Sequence, residues 1–219
     1  MSLATDGFEI HRAVFDPAEV AELRQEATRV AEQAGTVCVR HLADRSDRFR
    51  AFSNDSRVKD RLADDLEPVR SILFDKTPVE NWPVPWHQDL TIAVQERRDD
   101  VTGYGPWSVK DGAPHVQPPI AVLETMLTAR LHLDEATTSN GALWVVPGSH
   151  RSGKLDAEEV RELTATSAVA CECQAGDLLL MSPLILHSSR RSTVAGHRRV
   201  LHVEYARLEA LDPPLEWRT

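Results

Sequence analysis

Three consecutive residues, His87-Gln88-Asp89, and two far downstream, His187 and Arg198, have the types and spacing to build a metal site. On a β-strand, residues i and i+2 point to the same face, so His87 and Asp89 can present an imidazole and a carboxylate to one ion. A second imidazole from His187 would complete the two-His, one-carboxylate set that holds non-haem Fe(II) and leaves coordination positions open. Arg198 follows His187 by eleven residues, enough for a hairpin return to bring it back beside the metal. Its planar guanidinium can grip a carboxylate through two parallel hydrogen bonds. The combination implies an iron site whose co-substrate is a dicarboxylate such as 2-oxoglutarate.

The triplet alone does not discriminate. His-x-acid occurs three times, at His87/Asp89, His132/Asp134 and His202/Glu204, and on spacing His132/Asp134 with His187 is an equally acceptable triad. Context favours the first pair. His87 follows Pro83-Val84-Pro85-Trp86, a rigid approach to a ligand strand, whereas Asp134 opens the polar connection Asp134 to Gly141, where a carboxylate is commonly a turn former. His202 and Glu204 lie on the strand already assigned to Arg198.

The elements that must position these residues are mostly strands. The first fifth of the chain reads as helical: Asp16 is a plausible N-cap, Pro17 fits the first helical position and Glu19 completes a capping box. Val20, Leu23, Ala27, Val30, Ala31 and Ala34 form one apolar face, and Gly35 closes the segment. Thr36 to Arg40 is strand-like, and a second helix is expected from about Asn54 through Val58, Leu62 and Leu66 to Pro68. Beyond Val69, short apolar runs bounded by Pro, Gly and Asp recur: Ser71 to Phe74, Leu90 to Val94, Met126 to Leu133, Ala142 to Val146, Ala168 to Cys173, Asp177 to Met181 and Arg199 to Tyr205. Such spacing points to a sandwich or jelly roll. Asp156 to Leu163 reads as one helical insertion. Arg97 to Pro119, with four prolines, three glycines and Trp107, shows no clear element and is expected to be a lid or binding loop. One domain over 1–219 is expected, helical over about 1–68 and jelly roll over about 69–208.

The bulk numbers bound the function. A net charge of −9 argues against non-specific binding to nucleic acid or to an anionic membrane, since phosphates would be repelled. With 42% hydrophobic residues and no run long enough to span a bilayer, a globular protein with a small-molecule substrate is expected. The start of the chain lacks the basic and apolar stretches of a signal peptide, and Cys38, Cys171 and Cys173 form neither an even-numbered framework nor a C-x-x-C pair. Cytoplasmic location is the default expectation.

Three ordered segments resemble the phytanoyl-CoA dioxygenase (PhyH-like) family of Fe(II)/2-oxoglutarate oxygenases: Trp86-His87-Gln88-Asp89-Leu90, Asn140-Gly141-Ala142-Leu143-Trp144-Val145-Val146-Pro147-Gly148-Ser149-His150, and His187-Ser188-Ser189 followed by His197-Arg198-Arg199-Val200. Ser188 stands where a glycine often follows the distal histidine. The resemblance implies a mainly β fold with flanking helices, a double-stranded β-helix (jelly roll, cupin-like). It implies His87, Asp89 and His187 as iron ligands and Arg198 as partner of the distal 2-oxoglutarate carboxylate, with Ser189 adding a hydroxyl. Ile72 and Gln88 match positions that line the co-substrate. Arg130 stands where relatives often carry an aromatic residue, so it is expected to bind either the co-substrate or an anionic substrate, or else to be salt-bridged on its strand. O₂ is the implied oxidant, with ascorbate as a possible reductant. Because Asp89 is present, the resemblance implies hydroxylation or a related desaturation or ring closure, not halogenation. Two other classes use the same ligand types: a non-catalytic cupin-like binding protein, and a zinc hydrolase, which leaves Arg198 unexplained.

Overall fold

The computed structural model describes residues 2–218. A single turn, α1 (Leu3–Asp6), leads into β1 (Phe8–His11) and the long helix α2 (Pro17–Ala34). The start of α2 is built as the sequence implies. Asp16 accepts from the backbone N–H groups of Ala18 and Glu19, and Glu19 reaches back to the Asp16 N–H. Val20, Leu23, Ala27 and Val30 are buried at helical spacing, and Gly35 ends the helix at φ 63°.

The second helix differs from the expectation. After β2 (Cys38–Arg40) the chain forms α3 (Leu42–Arg45), α4 (Asp47–Ser53) and α5 (Ser56–Lys59), and by Glu67 it is already extended. Ser46 caps α4 by accepting from Phe49 N–H, and α4 buries Phe49 and Phe52. Val58, Leu62 and Leu66 do enter the same core, but from a short helix, a turn and a strand entry, so their spacing imitates a helix without forming one. Pro68 is tolerated inside β3 (Glu67–Lys76) because it lies opposite Tyr205, where the register with the facing strand shifts.

The remaining elements are β4 (Val84–His87), β5 (Ile92–Ala93), β6 (Trp107–Lys110), β7 (Ala113–Val116), α6 (Ile120–Glu124), β8 (Leu127–His132), β9 (Leu143–Val145), α7 (Ala157–Thr166), β10 (Val169–Cys171), β11 (Leu178–Met181), β12 (His187–Ser189) and β13 (Arg198–Ala206). They form a six-stranded sheet in the order β1-β11-β8-β13-β3-β2, a four-stranded sheet β10-β9-β12-β4 and a small sheet β5-β7-β6. Every pairing within them is antiparallel, as in a jelly roll. The N-terminal part is therefore not purely helical, since β1 and β2 supply both edges of the large sheet.

The large sheet is apolar on one face, and on the other face it is apolar at its β1–β11 end and charged where β8, β13 and β3 line a cavity. Leu178 and Leu180 of β11 join Leu73, Leu131 and Leu201 in a core shared with α2 and α4. The alternate residues Leu179 and Met181 face the smaller sheet and pack with Leu143, Val145 and Cys171. Cys38, Cys171 and Cys173 are free thiols. Among the described residues, no helix is long and apolar enough to cross a membrane.

The segment 97–119 is not the structureless loop its composition implied. It forms the β6–β7 hairpin, which adds to β5. Asp111 and Gly112 make its two-residue turn at φ 49° and 77°, the positive-φ pair that a tight hairpin requires. The Asp111-Gly112 dipeptide was the available signal for this turn.

Candidate metal centre

Antiparallel pairing of β4 with β12 places His87 directly opposite His187, which turns two distant histidines into cross-strand neighbours. Their ring centroids are 4.2 Å apart. Each ring is oriented by its own strand. His87 Nδ1 lies 2.9 Å from Pro85 O, and His187 Nδ1 lies 2.8 Å from Ile185 O. With Nδ1–H donating to a carbonyl in both rings, each Nε2 keeps its lone pair for a metal.

Asp89 completes the cluster from just beyond the strand, since β4 ends at His87. The residue between them is what aims it. The Gln88 amide donates to Gly153 O and Leu184 O, both at 2.7 Å, and accepts from Leu155 N–H at 2.9 Å. Asp89 N–H donates to Pro183 O at 2.9 Å. So anchored, the Asp89 carboxylate sits 3.6 Å from each Nε2, one oxygen toward each ring. All three donor atoms lie within 4.8 Å of one another, and among the described residues no other His, Cys, Asp or Glu trio is so gathered. Two imidazole nitrogens and one carboxylate oxygen, converging in the wall of a cavity, are the donor set that Fe(II) takes.

Electrostatics keep two of the three donors, His187 and Asp89, in ligand form. Burial pushes His187 down to about 4, so its ring is neutral near pH 7. Burial by itself would raise the Asp89 carboxyl, but His187, His87 and His202 outweigh it and hold the group below the ordinary carboxylate range. For His87, burial opposes protonation, yet the bond to Asp89 prevails and raises it.

The cavity holds about 380 Å³. Every second residue of β3 (Arg70, Ile72, Phe74 and Lys76) lines it, as do Arg198, His202 and Glu204 of β13. Its inner end is cationic. Arg198 and Lys76 face each other across the β3–β13 pair and are 6% and 1% exposed. Lys76 Nζ donates to Ser189 Oγ at 2.8 Å and to Arg190 O, while Arg198 Nε has no acceptor. Among the described residues neither cation has a carboxylate partner. Burial and the neighbouring Arg198 and Arg130 push Lys76 down to about 7, and burial and Arg130 push Arg198 down to about 10.

Lys76 was not singled out from sequence. Its signal was a lysine in phase with Ile72 and Phe74 at the end of a strand. The glycine of the Asn140-Gly141 motif belongs to the same end. A Cβ there would stand 2.7 Å from Arg190 O and 3.1 Å from Lys76 Nζ, at a φ of 87° that side chains rarely adopt.

Ile72 and Ser189 line the cavity, as does Gln88, although the Gln88 amide is already engaged by backbone. Arg130 lines it without a salt bridge. Its guanidinium bonds His202 Nδ1 at 2.9 Å, lies 5.8 Å from the Phe74 ring centroid and leaves Nε unpartnered. Arg199 points away and pairs with Asp134 at 2.8 Å, which removes that carboxylate from the rival triad. His132 is fully enclosed, with neither ring nitrogen hydrogen-bonded. His202 and Glu204 meet at 3.3 Å, but Glu204 is taken by Arg70 at 2.9 Å.

The family model for phytanoyl-CoA dioxygenase (PhyH) matches residues 3–200. A curated relative, Phytanoyl-CoA dioxygenase 1 of Oryza sativa subsp. japonica, is 33% identical over a stretch covering 33% of this chain and 31% of that protein. The chain thus spans about a third of that relative. Among solved structures, the epimerase SnoN in complex with Fe³⁺, alpha ketoglutarate and nogalamycin RO aligns with a TM-score of 0.72 at 21% identity, covering 99% of this chain and 83% of that one. EctD from S. alaskensis with bound Fe aligns with a TM-score of 0.74 at 21% identity, covering 97% and 77%. At these identities the likeness is one of fold.

Proposed function

Because the chain belongs to the phytanoyl-CoA dioxygenase family, we propose that it is an Fe(II)- and 2-oxoglutarate-dependent dioxygenase that oxidises a C–H bond of a small molecule. The observation that carries this reading is the His87, Asp89 and His187 trio in the wall of a cavity that also holds two buried cations, Lys76 and Arg198, without carboxylate partners among the described residues. A catalytic metal needs donors that leave positions open, and a dicarboxylate co-substrate needs a cationic anchor within reach of them. Both are present in one cavity.

In this reading, His87, Asp89 and His187 hold iron. Bound there with 2-oxoglutarate, it supplies oxygen activation coupled to decarboxylation of the oxo acid to succinate and CO₂, with one oxygen atom passing to the substrate. Arg198 grips the distal carboxylate of 2-oxoglutarate with its planar fork, and Lys76, braced by Ser189, adds a second positive charge. Ile72 and Phe74 wall the space between that anchor and the mouth and keep water from the reacting end. Gln88 acts on the metal through its neighbours, since its three backbone hydrogen bonds fix the turn that aims Asp89.

Anaerobic addition of Fe(II) and 2-oxoglutarate is expected to give the purified protein a weak visible absorption band, and a His87→Ala protein none. With O₂ and ascorbate, wild-type protein is expected to release succinate even without substrate, whereas a binding-only protein releases none. A band that survives His87→Ala and is lost in His132→Ala would overturn the ligand assignment.

A further inference from the structure

Six cationic side chains line the cavity: Arg40, Arg70, Lys76, Lys110, Arg130 and Arg198. They are not one patch. Lys76 and Arg198 sit at the inner end, and Arg70 lies six residues up β3, about 20 Å away at the rise of an extended strand. The outer group gathers around Arg70. Arg40 comes from β2, the strand next to β3, where it lies opposite Ile72. Lys110 and Asp111 come from the tip of the β6–β7 hairpin, which is fastened over the mouth by two contacts. Lys110 Nζ donates to Thr91 Oγ1 at 2.9 Å, two residues from the metal ligand Asp89, and Asp111 accepts from Arg40 at 2.8 Å.

A five-carbon dicarboxylate anchored at Arg198 and reaching to the metal trio cannot also touch this outer group. Asp89 and Glu204 are the only carboxylates among the lining residues. The first is committed to the metal in the proposed reading, and the second is already bound by Arg70. Lys110 has no carboxylate partner among the described residues. The Nε atoms of Arg40 and Arg70 lack acceptors too. With metal and co-substrate in place, Asp111 matches Arg40 and Glu204 matches Arg70, so Lys110 leaves this end with one uncompensated positive charge, in a chain whose net charge is −9. A local field opposed to the overall charge selects ligands of the opposite sign.

From this placement we infer that the molecule oxidised is an oxyanion, a small compound bearing a carboxylate, sulfate or phosphate that Lys110, Arg40 and Arg70 hold at the mouth while the rest of it extends over Ile72 toward the metal trio. The inference rests on the oxygenase reading above and deepens it. The hairpin sets specificity by charge: it brings the lysine that no other strand supplies, and it orders Arg40 through Asp111.

The test uses inorganic phosphate as probe, titrated by calorimetry into protein loaded anaerobically with Fe(II) and 2-oxoglutarate, so that the inner anion site is occupied. The visible band is recorded first. Its absence in wild-type protein would sink the oxygenase reading and this inference with it. With the band present, saturable phosphate binding is expected, weakened about tenfold or more by Lys110→Gln, as for loss of one charge-assisted partner. Lys110→Arg, which keeps the charge, and Lys154→Gln, on the exposed surface, are expected to bind as wild type does. Absence of saturable binding, equal affinity in Lys110→Gln, or loss in Lys110→Arg as large as in Lys110→Gln would overturn the inference.

Discussion

The cavity has two cationic ends on one strand face, and they are finished in opposite ways. At the outer end Arg70 is matched by Glu204, which His202 also contacts, and Arg40 is matched by Asp111. At the inner end Lys76 and Arg198 are more deeply buried, and among the described residues no carboxylate answers either. The outer arginines are held by the fold itself. The inner pair has no such counter-charge, and at the outer end Lys110 is the one cation among the described lining residues left without a carboxylate. Charges that the chain leaves buried without partners mark where a ligand belongs, because burial of an uncompensated ion is otherwise selected against.

The contrast can be broken from either end. The largest expected effect is on the paired side: Glu204→Gln removes the counter-charge of a buried arginine and should lower stability by about 3 kcal/mol in urea unfolding. A loss within experimental error would mean that Arg70 is not held by this pair. Next is the ligand anchor. Arg198→Lys should weaken 2-oxoglutarate binding by about 2 kcal/mol, since a point charge cannot replace the fork, while Arg199→Lys, whose partner Asp134 lies outside the cavity, should leave that affinity in place. Equal losses would mean that the wrong arginine of the pair has been assigned. Lys76→Met should weaken 2-oxoglutarate about tenfold yet change the stability of the unliganded protein by less than about 1 kcal/mol, because it removes a buried charge along with two hydrogen bonds. A large loss of stability would show that Lys76 serves the fold and not a ligand.

The smallest effect is on pH. Lys76 is held near about 7 in the folded protein, against 10.5 for an ordinary lysine. Between those values the unfolded chain carries a proton that the folded one has shed, so this residue makes stability rise with pH over that window. A bound dianion favours the charged ammonium, so 2-oxoglutarate should flatten the slope, and Lys76→Met should abolish it. Calorimetric unfolding at pH 7 and pH 9, with and without 2-oxoglutarate, measures both.

Much of the fold was legible because it is locally written. The α2 capping box, the Thr36–Arg40 strand, the Asp156 helix start and the alternating runs of β8, β11 and β13 depend on near neighbours. The elements that escaped depend on distant ones. Leu62 and Leu66 keep helical spacing yet reach one core from a turn and a strand entry. The β6–β7 hairpin is hidden among prolines, with only Asp111-Gly112 to announce it. His87 and Asp89 were read as strand neighbours, whereas the strand ends at His87 and a glutamine clamp takes over.

By itself the sequence determined the donor types, their order and the segments that carry them, because residue identity, capping and turn chemistry act over a few residues. Spacing alone could not decide among three His-x-acid pairs, although the Pro-Trp approach favoured His87/Asp89, and nothing local joined Lys76 to Arg198 or brought Lys110 beside Arg70. Those outcomes follow from strand register. A shift of one residue would turn Lys76 and Arg198 to the opposite face of their sheet, and which strands lie opposite each other is fixed only when the two sheets close over their shared core.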